Sequence, residues 1–188
     1  MNVAIVPARG GSKRIYKKNI RSFCGRPILE YAIEAALTSS SVDDVFVSTD
    51  DPTIESIGIE MGAKSTGLRS ADLSDDYTGT TDVIRYEISR LSKMGLEPDF
   101  VAELYPTAPF LTADVIDAVF HAFSQSESLF AFTATHFSYP VQRGFLIESG
   151  VCTPLFENEF HRRSQNLERV FHDAGQLYWG STDSWLTT

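Results

Sequence analysis

The sequence holds few of the residues that announce the commonest chemistries. Only two of its 188 residues are cysteine, Cys24 and Cys152. They lie far apart and lack zinc-ligand or redox spacing, so buried reduced thiols are expected rather than a metal ribbon or a disulfide scaffold. No apolar run reaches the length of a membrane span, and Met1-Asn2 leads straight into a strand without a signal-peptide layout. That pattern points to a cytoplasmic protein with no membrane partner. Positive charge is scarce: 16 Lys and Arg stand against 25 Asp and Glu, for a net charge of −9. Such a chain has no broad basic face for nucleic acid. Two phosphate fingerprints are also missing. Nothing matches G-x-x-x-x-G-K-[ST], and Gly10-Gly11 does not complete G-x-G-x-x-G, so neither a P-loop NTPase nor a Rossmann dehydrogenase is indicated.

The scarce cations are concentrated instead. Arg9, Lys13, Arg14, Lys17 and Lys18, five of the 16, follow an opening apolar run and are interleaved with Gly10, Gly11 and Ser12. A buried strand delivering backbone N–H groups and positive side chains is a way to hold a polyphosphate, so this turn is the primary anion site of an otherwise acidic chain. With 43% hydrophobic and 12% aromatic residues the chain should fold, and its length suits one domain.

Beyond the turn, Ile28, Leu29, Ala32, Ile33, Ala36 and Leu37 recur with helical period, with Pro27 placed to open the first turn. Val45 to Val47 form a short strand, which completes a βαβ unit and implies a parallel sheet. Asp51-Pro52 reads as a helix start; Asp50 suits either a cap or a ligand at the carboxyl edge of the sheet. Ile54, Ile57 and Met61 give the next helix its buried stripe, ended by Gly62. Residues 68–77 read as a functional loop whose one cation, Arg69, suits either a pair with Asp72 or a ligand contact. Thr80 or Thr81 is placed to cap a helix with Ile84, Ile88 and Leu91 inward. Phe100 to Leu104 reads as a strand ending in a proline-fixed lip, Tyr105-Pro106-Thr107-Ala108-Pro109. Thr112 caps a helix with Val115, Ile116, Val119, Phe120 and Phe123 inward, and Phe130 to Thr135 follows as a strand. Alternation stops from His136 to Val170, a segment rich in aromatics and arginines that suits an oligomer interface or a substrate-facing flap. Phe171 to Trp179 returns to the sheet, and Ser181 to Thr188 starts a helix.

Val-Pro-Ala-Arg-Gly-Gly-Ser-Lys with Lys18-Asn19-Ile20, then Val47-Ser48-Thr49-Asp50-Asp51 and Leu68-Arg69, resembles the cytidylyltransferases that activate nine-carbon acidic sugars. Tyr105-Pro106-Thr107-Ala108-Pro109, the stretch from Phe137 to Arg143, the stretch from Arg163 to Glu168 and the stretch from His172 to Trp179 resemble the branch acting on pseudaminic acid rather than sialic acid. The fold this implies is α/β: a three-layer α/β/α sandwich around a mostly parallel sheet. The activity it implies is CTP plus pseudaminic acid giving CMP-pseudaminic acid and pyrophosphate, for surface glycan or flagellin glycosylation. By the same resemblance Arg9, Gly10, Gly11, Ser12, Lys13, Lys18, Asn19, Arg69 and Thr80 contact the nucleotide, with Arg9, Lys13 and Lys18 catalytic through charge neutralisation. Tyr105, Gln142, Arg143, Arg163, His172 and Asp173 would meet the sugar, an arginine fork suiting its carboxylate. His172 is read as a hydrogen-bond donor rather than a general base.

The resemblance further implies a homodimer, with the segment 136–170 inserted into a single domain spanning 1–188. It also implies Mg²⁺ held by an Asp-x-Asp pair placed after Thr188, so a C-terminal family segment is expected to be missing and the metal ligands stay open. Tyr16 stands where relatives carry proline. A sialic acid cytidylyltransferase, a nucleotide-sugar glycosyltransferase and a non-catalytic CTP-binding relative are the competing readings.

Overall fold

The opening strand is buried on both of its faces, and that builds the fold. In β1 (Asn2–Pro7) Ala4 and Val6 join one apolar cluster while Val3 and Ile5 join a second, because successive strand side chains point to opposite faces. A strand buried on both faces belongs inside a mostly parallel sheet covered by helices. The computed structural model describes residues 1–12, 14–75 and 77–188; Lys13 therefore lies outside the described residues.

A small antiparallel ribbon, β2 (Ser22–Phe23) and β3 (Arg26–Pro27), leads into α1 (Ile28–Thr38). Then come β4 (Asp44–Ser48), α2 (Pro52–Glu60), β5 (Lys64–Ser65), α3 (Thr80–Lys93), β6 (Phe100–Leu104) and α4 (Ala113–Ser124). The remaining elements are β7 (Phe130–His136), β8 (Phe145–Glu148), β9 (Val151–Pro154), α5 (Glu157–Phe160), β10 (Phe171–Ser181) and α6 (Thr182–Thr187). The main sheet runs β5-β4-β1-β6-β10-β7. β1 pairs in parallel with β4 and with β6, and β4 with β5, whereas β10 pairs antiparallel to β6. This is the three-layer α/β sandwich expected from the sequence.

Residues of α1, α2 and α4 fill one apolar cluster, and residues of α3 and α6 fill the other. Leu29 and Ile33 on α1 are fully buried, each contributing about 1.5–3 kcal/mol of apolar transfer. Asp51 caps α2 as expected: its carboxylate accepts from the Thr53 N–H at 2.7 Å, with Pro52 at the first helical position. Thr112 caps α4 by accepting from the Val115 N–H.

Four local expectations change. α3 is capped by Gly79, with Thr80 its first residue, because the extended backbone at Gly79 makes the turn. Pro27 sits one residue outside α1. Leu37, expected on the buried stripe of α1, is 43% exposed. Both cysteines are exposed, Cys24 on the turn of the β2–β3 ribbon at φ 48° and Cys152 on a strand of the outlying hairpin.

The chain divides into two compact units, one of residues 1–133 with 175–188 and one of residues 134–174. The second contains regular structure where the sequence shows no periodicity. Its β8 and β9 form an antiparallel hairpin from Phe145↔Pro154 to Glu148↔Val151. Ser149 and Gly150, both at positive φ (49° and 82°), make its two-residue turn, the backbone twist that such hairpins favour. No helix among the described residues is long and apolar enough to cross a membrane.

Candidate functional site

The parallel strands β1, β4 and β6 all end on the same edge of the sheet, and their following loops converge there, as open α/β sheets arrange their ligand sites. A cavity of about 240 Å³ opens at that edge, all of it within the first unit. Pro7 lines it from the end of β1, and Arg9, Ser12, Lys18 and Asn19 from the stretch that follows. Arg69, Asp75 and Thr78 come from the loop before α3, Thr80 and Val83 from the first turn of α3, and Tyr105 and Thr107 from the lip after β6. Of the expected nucleotide contacts, Arg9, Ser12, Lys18, Asn19, Arg69 and Thr80 are thus brought to one cavity, joined by Tyr105 from the sugar set.

The glycine pair separates into two different residues. A Cβ on Gly10 would stand 2.8 Å from both Cβ and Oδ2 of Asp51, whereas nothing lies within 4 Å of one on Gly11. Gly10 is therefore required by close approach of the loop to the cap of α2. Its N–H donates to Asp50 Oδ1 at 2.9 Å, which answers what Asp50 does: it anchors the loop rather than capping the helix.

Two buried polar atoms in this cavity have no partner among the described residues. Asn19, 4% exposed, donates through Nδ2 to the Arg9 carbonyl at 2.9 Å, leaving its Oδ1 buried and unpaired. Arg69 is 6% exposed; among the described residues its guanidinium makes a long bond, Nη1 to Ser48 Oγ at 3.4 Å, while its Nε is buried and has no partner. Arg69 does not turn to Asp72. Burial pushes its pKa down, opposed by the nearby charges of Asp50 and Glu87, while Arg9 adds to the lowering. An orphaned acceptor and an orphaned donor in one cavity are groups awaiting a ligand with the opposite pattern.

Arg9 Nη1 donates to the Asp75 carbonyl at 2.5 Å, tying the loop after β1 to the loop before α3. The Asp75 carboxyl is held below its usual range chiefly by hydrogen bonds from the Thr78 hydroxyl and N–H. Tyr105 stands 5.5 Å from the ring of Tyr178, which stacks at 6.0 Å on Phe132, so three aromatic rings run in series from the cavity across the sheet.

The remaining sugar candidates, Gln142, Arg143, Arg163, His172 and Asp173, all belong to the second unit. Gln142 is 7% exposed; its Nε2 donates to the Glu168 carbonyl at 2.9 Å and its Oε1 has no partner among the described residues. Arg143 donates to the Arg162 carbonyl and lies over the Phe160 ring. The His172 Nδ1 is 2.8 Å from the Asp173 carbonyl and its ring packs on Phe137. The unit has its own cavity of about 210 Å³ between residues 136–141 and 164–170.

The Mg²⁺ implied by resemblance does not find a donor set: among the described residues no three His, Cys, Asp or Glu converge to hold a metal. Asp50 and Asp51, beside the glycine turn, are engaged with backbone N–H groups.

Sequence reasoning missed Glu87, 1% exposed, which accepts from Ser48 Oγ at 2.6 Å and from Thr66 Oγ1 at 2.5 Å. The signal was there, since Glu87 sits three residues after Ile84 and four before Leu91, on the buried stripe of α3.

A family model described as cytidylyltransferase matches residues 3–177. The chain is 41% identical over 186 residues to the pseudaminic acid cytidylyltransferase of Campylobacter jejuni, a match covering 98% of this chain and 80% of that protein. It is 27% identical over 187 residues to the N-acylneuraminate cytidylyltransferase of Escherichia coli, covering 99% of this chain and 43% of that protein. Among solved structures, CMP:2-keto-3-deoxy-manno-octonic acid synthetase complexed with CTP aligns with a TM-score of 0.73 at 20% identity, covering 98% of this chain and 75% of that one. With its site at the carboxyl edge of the sheet and the family model spanning nearly its whole length, this chain belongs to the cytidylyltransferase family.

Proposed function

We propose that the chain joins CTP to pseudaminic acid, releasing pyrophosphate. The anomeric oxygen of the sugar attacks the α-phosphorus, the bond from that phosphorus to the bridging oxygen of the β-phosphate breaks, and the hydroxyl proton passes to solvent. Pyrophosphate leaves with the bond's electron pair. The chemistry asks mainly for positioning and charge neutralisation, which is what a cavity lined by Arg9, Lys18 and Arg69 in a chain of net charge −9 offers. Arg9, Ser12 and Lys18, with the amides of the glycine turn and Lys13, hold the triphosphate, and Lys18 balances charge on the α-phosphate.

One observation carries the nucleotide part: the unpaired Asn19 Oδ1 and Arg69 Nε in the cavity wall. Cytidine presents both an amino donor and ring acceptors, so it can satisfy an acceptor and a donor together. A buried group left unpaired by the wrong base would penalise it strongly. The preference for pseudaminic over sialic acid rests on the higher identity to the Campylobacter jejuni relative. Tyr105, in the wall of the nucleotide cavity, offers its ring to the sugar.

The second unit also supports a homodimer, because Phe145, Leu146, Ile147 and Val151 on its hairpin are 49–66% exposed, an apolar surface that a second copy would cover. A reaction that consumes CTP, in a chain with no membrane-spanning helix among its described residues, supports a cytoplasmic location. The test is pyrophosphate release from CTP with a panel of nine-carbon acids. Release with pseudaminic acid, at least about tenfold above N-acetylneuraminic acid, is expected. Equal release with both, or none with any acid despite CTP binding, overturns the assignment. Light scattering of Ile147→Asp should give a monomer where the parent chain gives a dimer.

A further inference from the structure

Glu87 lies where a carboxylate is costly. It is 1% exposed on the apolar stripe of α3, and a buried charge must be paired and hydrogen-bonded to persist. Its partners are specific. Oε1 accepts from Ser48, the last residue of β4, at 2.6 Å; Oε2 accepts from Thr66, three residues before Arg69, at 2.5 Å. Arg90, 3.9 Å from the same carboxylate, also donates to the carbonyls of Thr66 and Gly67. The strap 66–69 is closed from the other side by the Arg69 N–H on the Thr49 carbonyl at 2.8 Å. One buried acid thus ties both stretches of chain that frame Arg69.

The hydroxyl of Ser48 links acid to guanidinium. The Ser48 hydroxyl donates to Glu87 Oε1 at 2.6 Å, and its oxygen accepts from Arg69 Nη1 at 3.4 Å. The result is a directed chain, Arg69 to Ser48 to Glu87, which holds the guanidinium by a long contact at Nη1 and leaves its Nε without a partner among the described residues.

We propose that Glu87, acting through Ser48 and Thr66, is the positioning residue that sets the Arg69 guanidinium for the nucleotide. The proposal rests on the reading of Arg69 as a nucleotide ligand. Its test is a double-mutant cycle read as CTP affinity by calorimetry, with thermal unfolding of each variant. Ser48→Ala should weaken CTP binding by about three- to tenfold in the parent chain and leave it unchanged in an Arg69→Met background, because residues that act as a unit are not additive. Thr66→Val run through the same two backgrounds repeats the measurement should Ser48→Ala fail to fold. The same weakening factor in both backgrounds, or a lowered melting temperature with unchanged CTP affinity, overturns the proposal and leaves Glu87 a framework residue. If Arg69→Met alone binds CTP as the parent does, the nucleotide role of Arg69 falls, and this proposal with it.

Discussion

Replacing Arg69 by methionine should move stability and binding in opposite directions. The side chain is 6% exposed, its Nε has no partner among the described residues, and its bond to Ser48 Oγ, at 3.4 Å, is long. Hydrogen bonds of that length contribute little, while an unsatisfied buried donor costs about 1–3 kcal/mol. Methionine keeps the stem and much of the volume but neither the charge nor the orphaned donor. Exchanging a buried ion for a well-packed apolar side chain is often neutral or stabilising. Against that, Glu87 loses one of its counter-charges, with Arg90 still 3.9 Å away. The unliganded protein should therefore melt within about 3 °C of the parent, or higher, a change under about 1 kcal/mol for a domain of this size. With CTP the sign reverses. One or two charge-assisted hydrogen bonds, at about 1.5–3 kcal/mol each, correspond to a loss of at least about tenfold in affinity. Differential scanning fluorimetry across a CTP titration reads both at once: a preserved melting point without ligand and a loss of the ligand-induced rise. A fall of more than about 5 °C without CTP, joined to an undiminished CTP-induced rise, would show Arg69 to be a structural cation and refute the reasoning.

Gly10→Ala should weaken CTP binding by about tenfold or more, because its Cβ meets the rigid Cβ of Asp51 at 2.8 Å and must push the loop away; Gly11→Ala, with nothing within 4 Å, should stay within about threefold. Calorimetry on the two variants checks the contrast, and equal effects would refute it. Gly58→Ala gains about 1 kcal/mol of helix propensity but sets a methyl 2.6 Å from Val47 Cγ1, so a net loss of about 1–2 kcal/mol is expected in urea unfolding. Asp117 ties α4 to the turn after α1: its carboxylate accepts from the hydroxyls of Ser39 and Ser40 and from the N–H groups of Ser40 and Ser41. Burial alone would raise its pKa, but these bonds outweigh burial and hold it well below the usual carboxylate range. A depressed folded pKa means stability that is present above the unfolded value, about 3.9, and is lost as pH falls through the folded one. Asp117→Asn should lower the melting point by about 2–6 °C at pH 7, the gap to the parent narrowing as the pH is taken below about 4; a gap constant down to pH 2 would contradict this.

What could be read from the sequence, and what could not, follows from the range of the interactions. Strands with apolar runs and helices with clean periods are local patterns, so β1, α1, β4, α3 and β6 were legible, together with the cap at Asp51. The glycine-and-cation turn was legible because its members are neighbours in sequence. The hairpin at 145–154 was not, because its alternation is weak when neither face is buried: every residue of β8 is exposed. The exposure of Cys24 and Cys152 escaped for a related reason, since burial is decided by distant elements and not by residue type.

The buried polar core of the site lies between these cases. Asn19, Ser48, Arg69 and Glu87 are spread over the chain and share no motif, yet each is at most 6% exposed. Glu87 is the instructive one. An acid at the i+3 and i−4 positions of the buried face of an amphipathic helix conflicts with the pattern around it, and such conflicts between local rule and observed residue are where function or strain is expected. The same rule separates Glu87 from Asp117. Asp117 is only partly buried and all of its partners lie in one serine turn, which is how a carboxylate fastens two elements. Glu87 reaches two separate stretches of chain that lead to one guanidinium with an unpaired donor. A purely structural tie would have no reason to leave that donor open, and a ligand-binding site does.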